Sequence, residues 1–288
     1  LAFLRDDCAE HAAALAYYTV FSLPPLLLIA VAVAGSLVER SAVVSTIFTE
    51  VNGTLGERAA QQVVEALVAA QRSDAKGSLP SVLSLIALGF SATGAFNQLQ
   101  ASLNRIWEVK PDPQQSEVRS FLAKRLISFG MVLSLGFLLM ASLLLSAALT
   151  AFAGVASYYL PSGISAAFLS GLNNLLSIAA FAGLFAAMFH MLPDARVEWR
   201  DSLVGGLATS ILFTGGKALI GAYLGKSELS NAYGAAGSLA IILAWTYYAS
   251  MIVLLGAELT RAWAQRHGRV PTPEAGAMRV KQREVRVV

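Results

Sequence analysis

The sequence predicts an all-α, polytopic integral membrane protein, and two distributions of charge predict it. Only 14% of the 288 residues are charged, against about 25% in soluble domains. Six windows are almost free of charge: Ala12–Val38, Ser78–Asn104, Leu126–Tyr158, Ser165–Leu192, Ser202–Leu224 and Leu239–Ala257, with Lys217 the one charge among them. A spanning helix needs about 20 mostly apolar residues; the last window reaches this by borrowing Gly237 and Ser238 or Glu258. The second distribution is that of Lys and Arg. The N-terminal stub, the second loop, the fourth loop and the tail hold one, five, two and seven; the alternate loops hold four, none and one. Positive charge marks the cytoplasmic side, so six transmembrane helices with both termini cytoplasmic are expected, forming one domain over residues 1–268.

The first span follows acidic Asp6, Asp7 and Glu10 rather than a basic region, unlike a cleavable signal. The chain opens on Leu1 rather than Met, so a segment upstream is expected. Pro24-Pro25 lies mid-window. Two prolines remove two backbone donors, which predicts a kink or local unwinding, either as a pivot beside a binding path or as a purely structural bend.

The loop 39–77 predicts two amphipathic helices outside the membrane. Val43, Val44, Ile47, Phe48 and Val51 share one face, with Asn52-Gly53 as the break. Ala59, Ala60, Val63, Val64, Leu67 and Val68 then oppose Glu57, Arg58, Gln61, Gln62, Glu65 and Arg72. Such a pair forms a cap on the bilayer or over the bundle, or a packed loop without a gating role.

The second span carries Thr93, Asn97, Gln100, Asn104 and Glu108 at steps of three and four. Lipid cannot satisfy amide side chains, so this stripe faces protein or water. It serves interhelical hydrogen bonding or lines a cytoplasm-facing vestibule. The uncharged run from Leu126 to Pro193 fits a hairpin of two spans broken at Tyr158–Gly163, and Asn173-Asn174 poses the same question in its second arm.

Lys217 lies fifteen residues into the fifth span, about 22 Å from the cytoplasmic end. Two readings stand. The lysine snorkels to the outer surface, or it faces a wet cavity and holds an anionic group. Gly215, Gly216, Gly221 and Gly225 around it allow close approach of a ligand or, more ordinarily, of a helix. Small-residue faces at Ala179/Gly183/Ala187 and Gly206/Ser210 permit further helix pairs. In the sixth span Tyr247 and Tyr248 sit deep enough to pack between helices, and Glu258 and Arg261 read as a local i, i+3 pair. Trp107, Trp199 and Trp263 lie at expected cytoplasmic ends, as an aromatic belt requires. Residues 269–288 lose the apolar pattern and read as a flexible basic cytoplasmic tail.

Enzymatic chemistry finds no support in the motifs. Cys8 is the only cysteine, and His11, His190 and His267 are far apart, so no thiolate cluster or HExxH site is formed. No P-loop, GxSxG or membrane-depth carboxylate pair occurs. No enzyme activity, metal or cofactor is expected, and no nucleic-acid partner.

Tyr17-Tyr18-Thr19-Val20-Phe21-Ser22-Leu23-Pro24-Pro25, Ser91–Ala95 with Leu103–Trp107, Leu192-Pro193-Asp194, and Tyr233–Ser238 with Trp245–Tyr248 and Gly256–Thr260 together resemble the YihY/BrkB family, from about Ala12 to His267. The resemblance implies a bacterial inner-membrane protein of six or more helices. It also brings an old ribonuclease label, which the absence of metal-ligand or acid/base constellations contradicts. A transporter role in moving a lipid or amphiphilic anionic solute within the envelope fits that setting by association. In this reading Lys217 binds the anionic group, Thr93, Asn97, Gln100 and Asn104 line the cytoplasmic side, and Pro24-Pro25 allow movement. The partners are then membrane lipids. The rival readings are a scaffold that docks an envelope protein and a small-solute or ion carrier.

Overall fold

The computed structural model describes residues 2–34, 39–72, 94–112, 164–226, 235–274 and 276–280. The chain divides into two compact units, Leu1–Arg105 with Phe213–Leu255, and Ile106–Leu212 with Gly256–Val288. The expected third span and Thr93 lie outside the described residues, as does most of the second span.

In the first unit, α1 (Ala2–Arg5) leads into α2 (Cys8–Ala34). At 27 residues, α2 is about 40 Å long, enough to cross a bilayer. It stays helical through Pro24-Pro25, so of the expected kink or local unwinding, the unwinding is not present. The prolines free the Val20 and Phe21 carbonyls one turn back, a loss that membrane helices tolerate because neighbouring groups re-satisfy them.

α3 (Arg40–Leu55) and α4 (Glu57–Arg72) follow and pack on each other and on α2. The break is at Gly56 (φ 88°), whose N–H reaches the Asn52 carbonyl at 3.1 Å, and not at the expected Asn52-Gly53. Positive φ is open to glycine at little cost; Asn52 and Gly53 instead stay helical. Ala59, Ala60, Val63 and Leu67 of α4 are buried, while Glu57, Gln61 and Glu65 are exposed. Ala59 and Val63 meet Ile242, with Val20, Ile47 and Val51 packed around them. The hairpin's apolar face is therefore spent on the protein itself. A helix over residues 94–106, α5, completes this part.

The second unit contains β1 (Val109–Pro111), α6 (Ile164–Met191), β2 (Ala195–Arg196), the first half of α7 (Trp199–Lys226), the last turns of α8 (Ala235–Arg266), β3 (Thr272–Pro273) and β4 (Ala277–Arg279). β1 pairs antiparallel with β4, Lys110 opposite Met278. β2 pairs antiparallel with β3, Arg196 opposite Thr272. These short strands are absent from the all-α expectation, and they correct the flexible-tail reading over residues 269–274 and 276–280. Too short to carry a period-2 pattern, they are held by backbone pairing and by the burial of Val109 and Ala195. Under them sit Trp107, Val109, Ala195 and Val197. Trp107 is therefore a core residue rather than part of an interfacial belt, while Trp199 and Trp263 are exposed.

Among the described residues, one stretch, Leu239–Arg266 in α8, is long and apolar enough to cross a membrane by length and composition. The architecture is mostly helical.

Candidate functional site

The described polar groups gather in two places. The first is the seam between α2 and α5. Ser22 donates its hydroxyl to the Tyr18 carbonyl at 2.7 Å and accepts the Ala95 N–H at 3.4 Å. A Cβ on Gly94 would lie 3.3 Å from the Tyr18 ring, so a small residue lets the two helices meet here. Three turns nearer the α2 N-terminus, His11 Nδ1 lies 3.5 Å from Gln98 Nε2 and 3.4 Å from Ser102 Oγ. Arg105 closes the seam by pairing with Asp7 and reaching the Asp6 carbonyl at 3.4 Å. Burial, reinforced by the Arg105 charge, lowers the His11 pKa against the opposing pull of Asp7 and Glu10.

This seam uses Gln98, Ser102 and Arg105, a row parallel to the one singled out from sequence. Of the expected stripe, Asn97 is exposed, Gln100 is half-buried and Asn104 is buried. The spacing of Gln98, Ser102 and Arg105 was equally readable; what selects between the rows is which face of α5 meets α2.

Lys217 is half-buried on α7. Its neighbour Gly216 is buried, and a Cβ there would lie 2.6 Å from Tyr248 Oη and 2.9 Å from Ile252 Cδ1. One turn earlier, Phe213 and Trp245 meet edge-on at 6.1 Å. The glycine beside the lysine thus serves a helix crossing, whereas Gly215 faces open space. Tyr248 packs between helices as expected; Tyr247 is 37% exposed and does not.

The second place is the polar interior of unit two. On α7, Asp201, Ser202, Thr209 and Ser210 are buried, while Leu203, Val204, Leu207, Ile211 and Leu212 are exposed. A water-soluble helix shows the reverse polarity. Gly205 faces Thr260, and Gly256 faces Thr209. Each threonine donates its hydroxyl to the carbonyl of the glycine four residues back in its own helix, Thr209 to Gly205 at 2.7 Å and Thr260 to Gly256 at 2.8 Å. The hydroxyls are thereby satisfied without water, and each threonine fills the notch left by the other helix's glycine. Gly206 lies against the Ala182 and Ala186 backbone, and Ser210 donates to the Ile178 carbonyl at 2.7 Å. The expected Gly206/Ser210 face is thus an intrachain contact. The expected Ala179/Gly183 face is exposed, and nothing lies within 4 Å of a Cβ on Gly183; the row used on α6 is shifted one residue round the helix.

Two arginines anchor the end of this unit. Arg261 donates to the Ile106 carbonyl at 2.5 Å and pairs with Glu108, partners beyond the local Glu258 pair read from sequence. Glu108 sits in left-handed backbone, φ 54°. Arg269 grips Asp201 with two bonds, 3.0 and 2.5 Å, and reaches Glu198 at 3.7 Å. Among the described residues, no group of three or more His, Cys, Asp or Glu is placed to hold a metal.

Comparison with known proteins finds relatives that are named as membrane proteins. A UPF0761 membrane protein of Alkalilimnicola ehrlichii is 30% identical over 282 residues, covering 91% of this chain and 56% of the relative. Another, from Pseudomonas paraeruginosa, is 29% identical over 296 residues, covering 96% and 66%. The chain therefore spans somewhat over half the length of these relatives. No solved structure matches. The family profile described as Virulence factor BrkB matches residues 1–281, and the chain belongs to that family of membrane proteins.

Proposed function

We propose that this chain is a non-enzymatic, six-span protein of the bacterial inner membrane, with both termini cytoplasmic, that translocates a lipid or amphiphilic anionic solute. The observation that carries the reading is the inverted polarity of α7. Its large apolar residues face outward, its hydroxyl and small residues face inward, and Lys217 stands half-buried farther along the same helix. A lysine at that position offers a point charge to an anionic headgroup. Asn97, Gln100 and Asn104 supply amide and carbonyl groups along the route from the cytoplasmic side, and the α2–α5 seam at His11 closes it.

The test is lipid movement in proteoliposomes. Fluorescent phosphatidylglycerol in the inner leaflet should become accessible to an external quencher faster with protein than without, and Lys217→Gln should slow this about tenfold. Rates equal to protein-free vesicles would sink the transport reading; a Lys217→Gln rate equal to wild type would sink the site. Topology is checked separately in a Cys8→Ser background. Asp74→Cys and Ser162→Cys should label from outside intact cells, and Gln114→Cys only after permeabilisation.

A further inference from the structure

The two tryptophans that remain exposed in unit two are held in matching surroundings. His190 Nδ1 donates to the Val197 carbonyl at 2.6 Å, and its ring stacks on Trp199 at 4.2 Å. His267 Nδ1 donates to the Trp263 carbonyl at 2.9 Å, and its ring lies 4.5 Å from Trp263. A carbonyl only accepts, so both imidazoles are fixed as the Nδ1–H form and each braces an indole.

The glycine–threonine crossing sets the height of these rings. Gly205 is level with Thr260 and Thr209 with Gly256, so the helices are antiparallel and each step up α7 is one step down α8. Ser202 is then level with Trp263, and Trp199 with Arg266. The two indoles differ in height by three residues, about 4.5 Å. Toward the crossing, each continues into exposed apolar side chains: Leu203, Leu207 and Ile211 on α7, Leu259 on α8. At the level of the indoles or beyond, Arg196, Arg200 and Arg266 are exposed. Arg269 offsets one of the two nearby carboxylates of Asp201 and Glu198, so the three exposed arginines outweigh the one that remains.

We propose that this rim of unit two binds anionic phospholipid. Arg200 and Arg266 take the phosphate, the braced Trp199 and Trp263 sit at the glycerol level, and the acyl chains run along these apolar side chains. The order of charge, indole and aliphatic side chains matches the order of headgroup, glycerol and hydrocarbon in a lipid. The surface requires membrane embedding but not transport, so it stands or falls separately from the proposed activity.

The test uses the full chain in nanodiscs containing brominated phosphatidylglycerol or brominated phosphatidylcholine at equal mole fraction, read by tryptophan quenching. Wild type should prefer the anionic lipid. At roughly 1 kcal/mol per basic residue near a charged headgroup layer, the Arg200→Gln/Arg266→Gln variant should lose about 30-fold of that preference, and the Lys pair at the same positions should retain it. Trp199→Phe/Trp263→Phe should lose most quenching, leaving Trp107 and Trp245 as reporters that the chain is folded. Equal quenching by both lipids, an unchanged preference in the glutamine variant, or full quenching without the two tryptophans would overturn the proposal. So would displacement by millimolar inorganic phosphate, which would identify a free-anion site instead.

Discussion

Gly256→Ala adds a single methyl group to the α7–α8 crossing, and its cost is readable from the structure. The new carbon would overlap the Thr209 hydroxyl and lie 2.9 Å from Thr209 Cβ and 3.1 Å from Phe189 Cζ. Carbon atoms prefer about 3.5–4.0 Å, so the helices must part by more than half an ångström or Thr209 must rotate away. Rotation would break its bond to the Gly205 carbonyl, worth about 0.6 kcal/mol in a membrane protein. Overpacking adds about 1–3 kcal/mol, while the better helix propensity of Ala returns up to about 1 kcal/mol. The net expectation is a destabilisation of about 1–3 kcal/mol, measured by unfolding in mixed micelles. Thr209→Ala should remove the obstacle, so the double variant should recover at least half of the loss. Gly183→Ala, with open space around it, should be neutral or slightly stabilising. A Gly256→Ala protein as stable as wild type, or a double variant with additive losses, would refute the reciprocal crossing.

Two further outcomes follow from the charged groups. Arg269→Ala leaves the Asp201 carboxylate, 2% exposed, without its partner, whereas Asp201→Asn leaves an arginine 30% exposed that can reach water. The arginine variant should therefore be the more damaging, by roughly 2 kcal/mol, and should raise hydrogen exchange across residues 270–280; equal losses would contradict the burial asymmetry. The lowered pKa of His11 means that on acidification the unfolded chain takes up the proton before the folded one. Stability from this group is complete above its ordinary value of 6.5 and falls as pH drops from there toward the depressed folded value. Unfolding titrations should show that slope in wild type and lose it in His11→Gln; an unchanged slope would place the titration elsewhere.

The predictable and unpredictable parts of this fold separate by the range of the forces involved. Charge-poor windows at Ala12–Val38, Ser165–Leu192 and Ser202–Leu224 fall close to α2 (Cys8–Ala34), α6 (Ile164–Met191) and α7 (Trp199–Lys226), because the need to bury a helical backbone in lipid is met within one segment. The α4 face was equally legible, since Ala59, Val63 and Leu67 recur at helical spacing. Rows that differ by one residue were not: Gln98/Ser102/Arg105 against Asn97/Gln100/Asn104, and Ala182/Ala186 against Ala179/Gly183. Each row is a plausible packing face by composition. A helix in an apolar surrounding offers several such faces, and only the partner helix selects one.

By itself, then, the sequence determined that this is a helical membrane protein, where most of its described helices run, and which small and polar residues were available to join them. Tertiary structure decided which were used: Thr209 and Thr260 set into the facing glycines, Arg269 closed on Asp201, and residues 272–273 and 277–279 drawn into strands with 195–196 and 109–111. Hydrophobicity and periodicity act along one chain segment, whereas steric fit and hydrogen-bond pairing exist only between two.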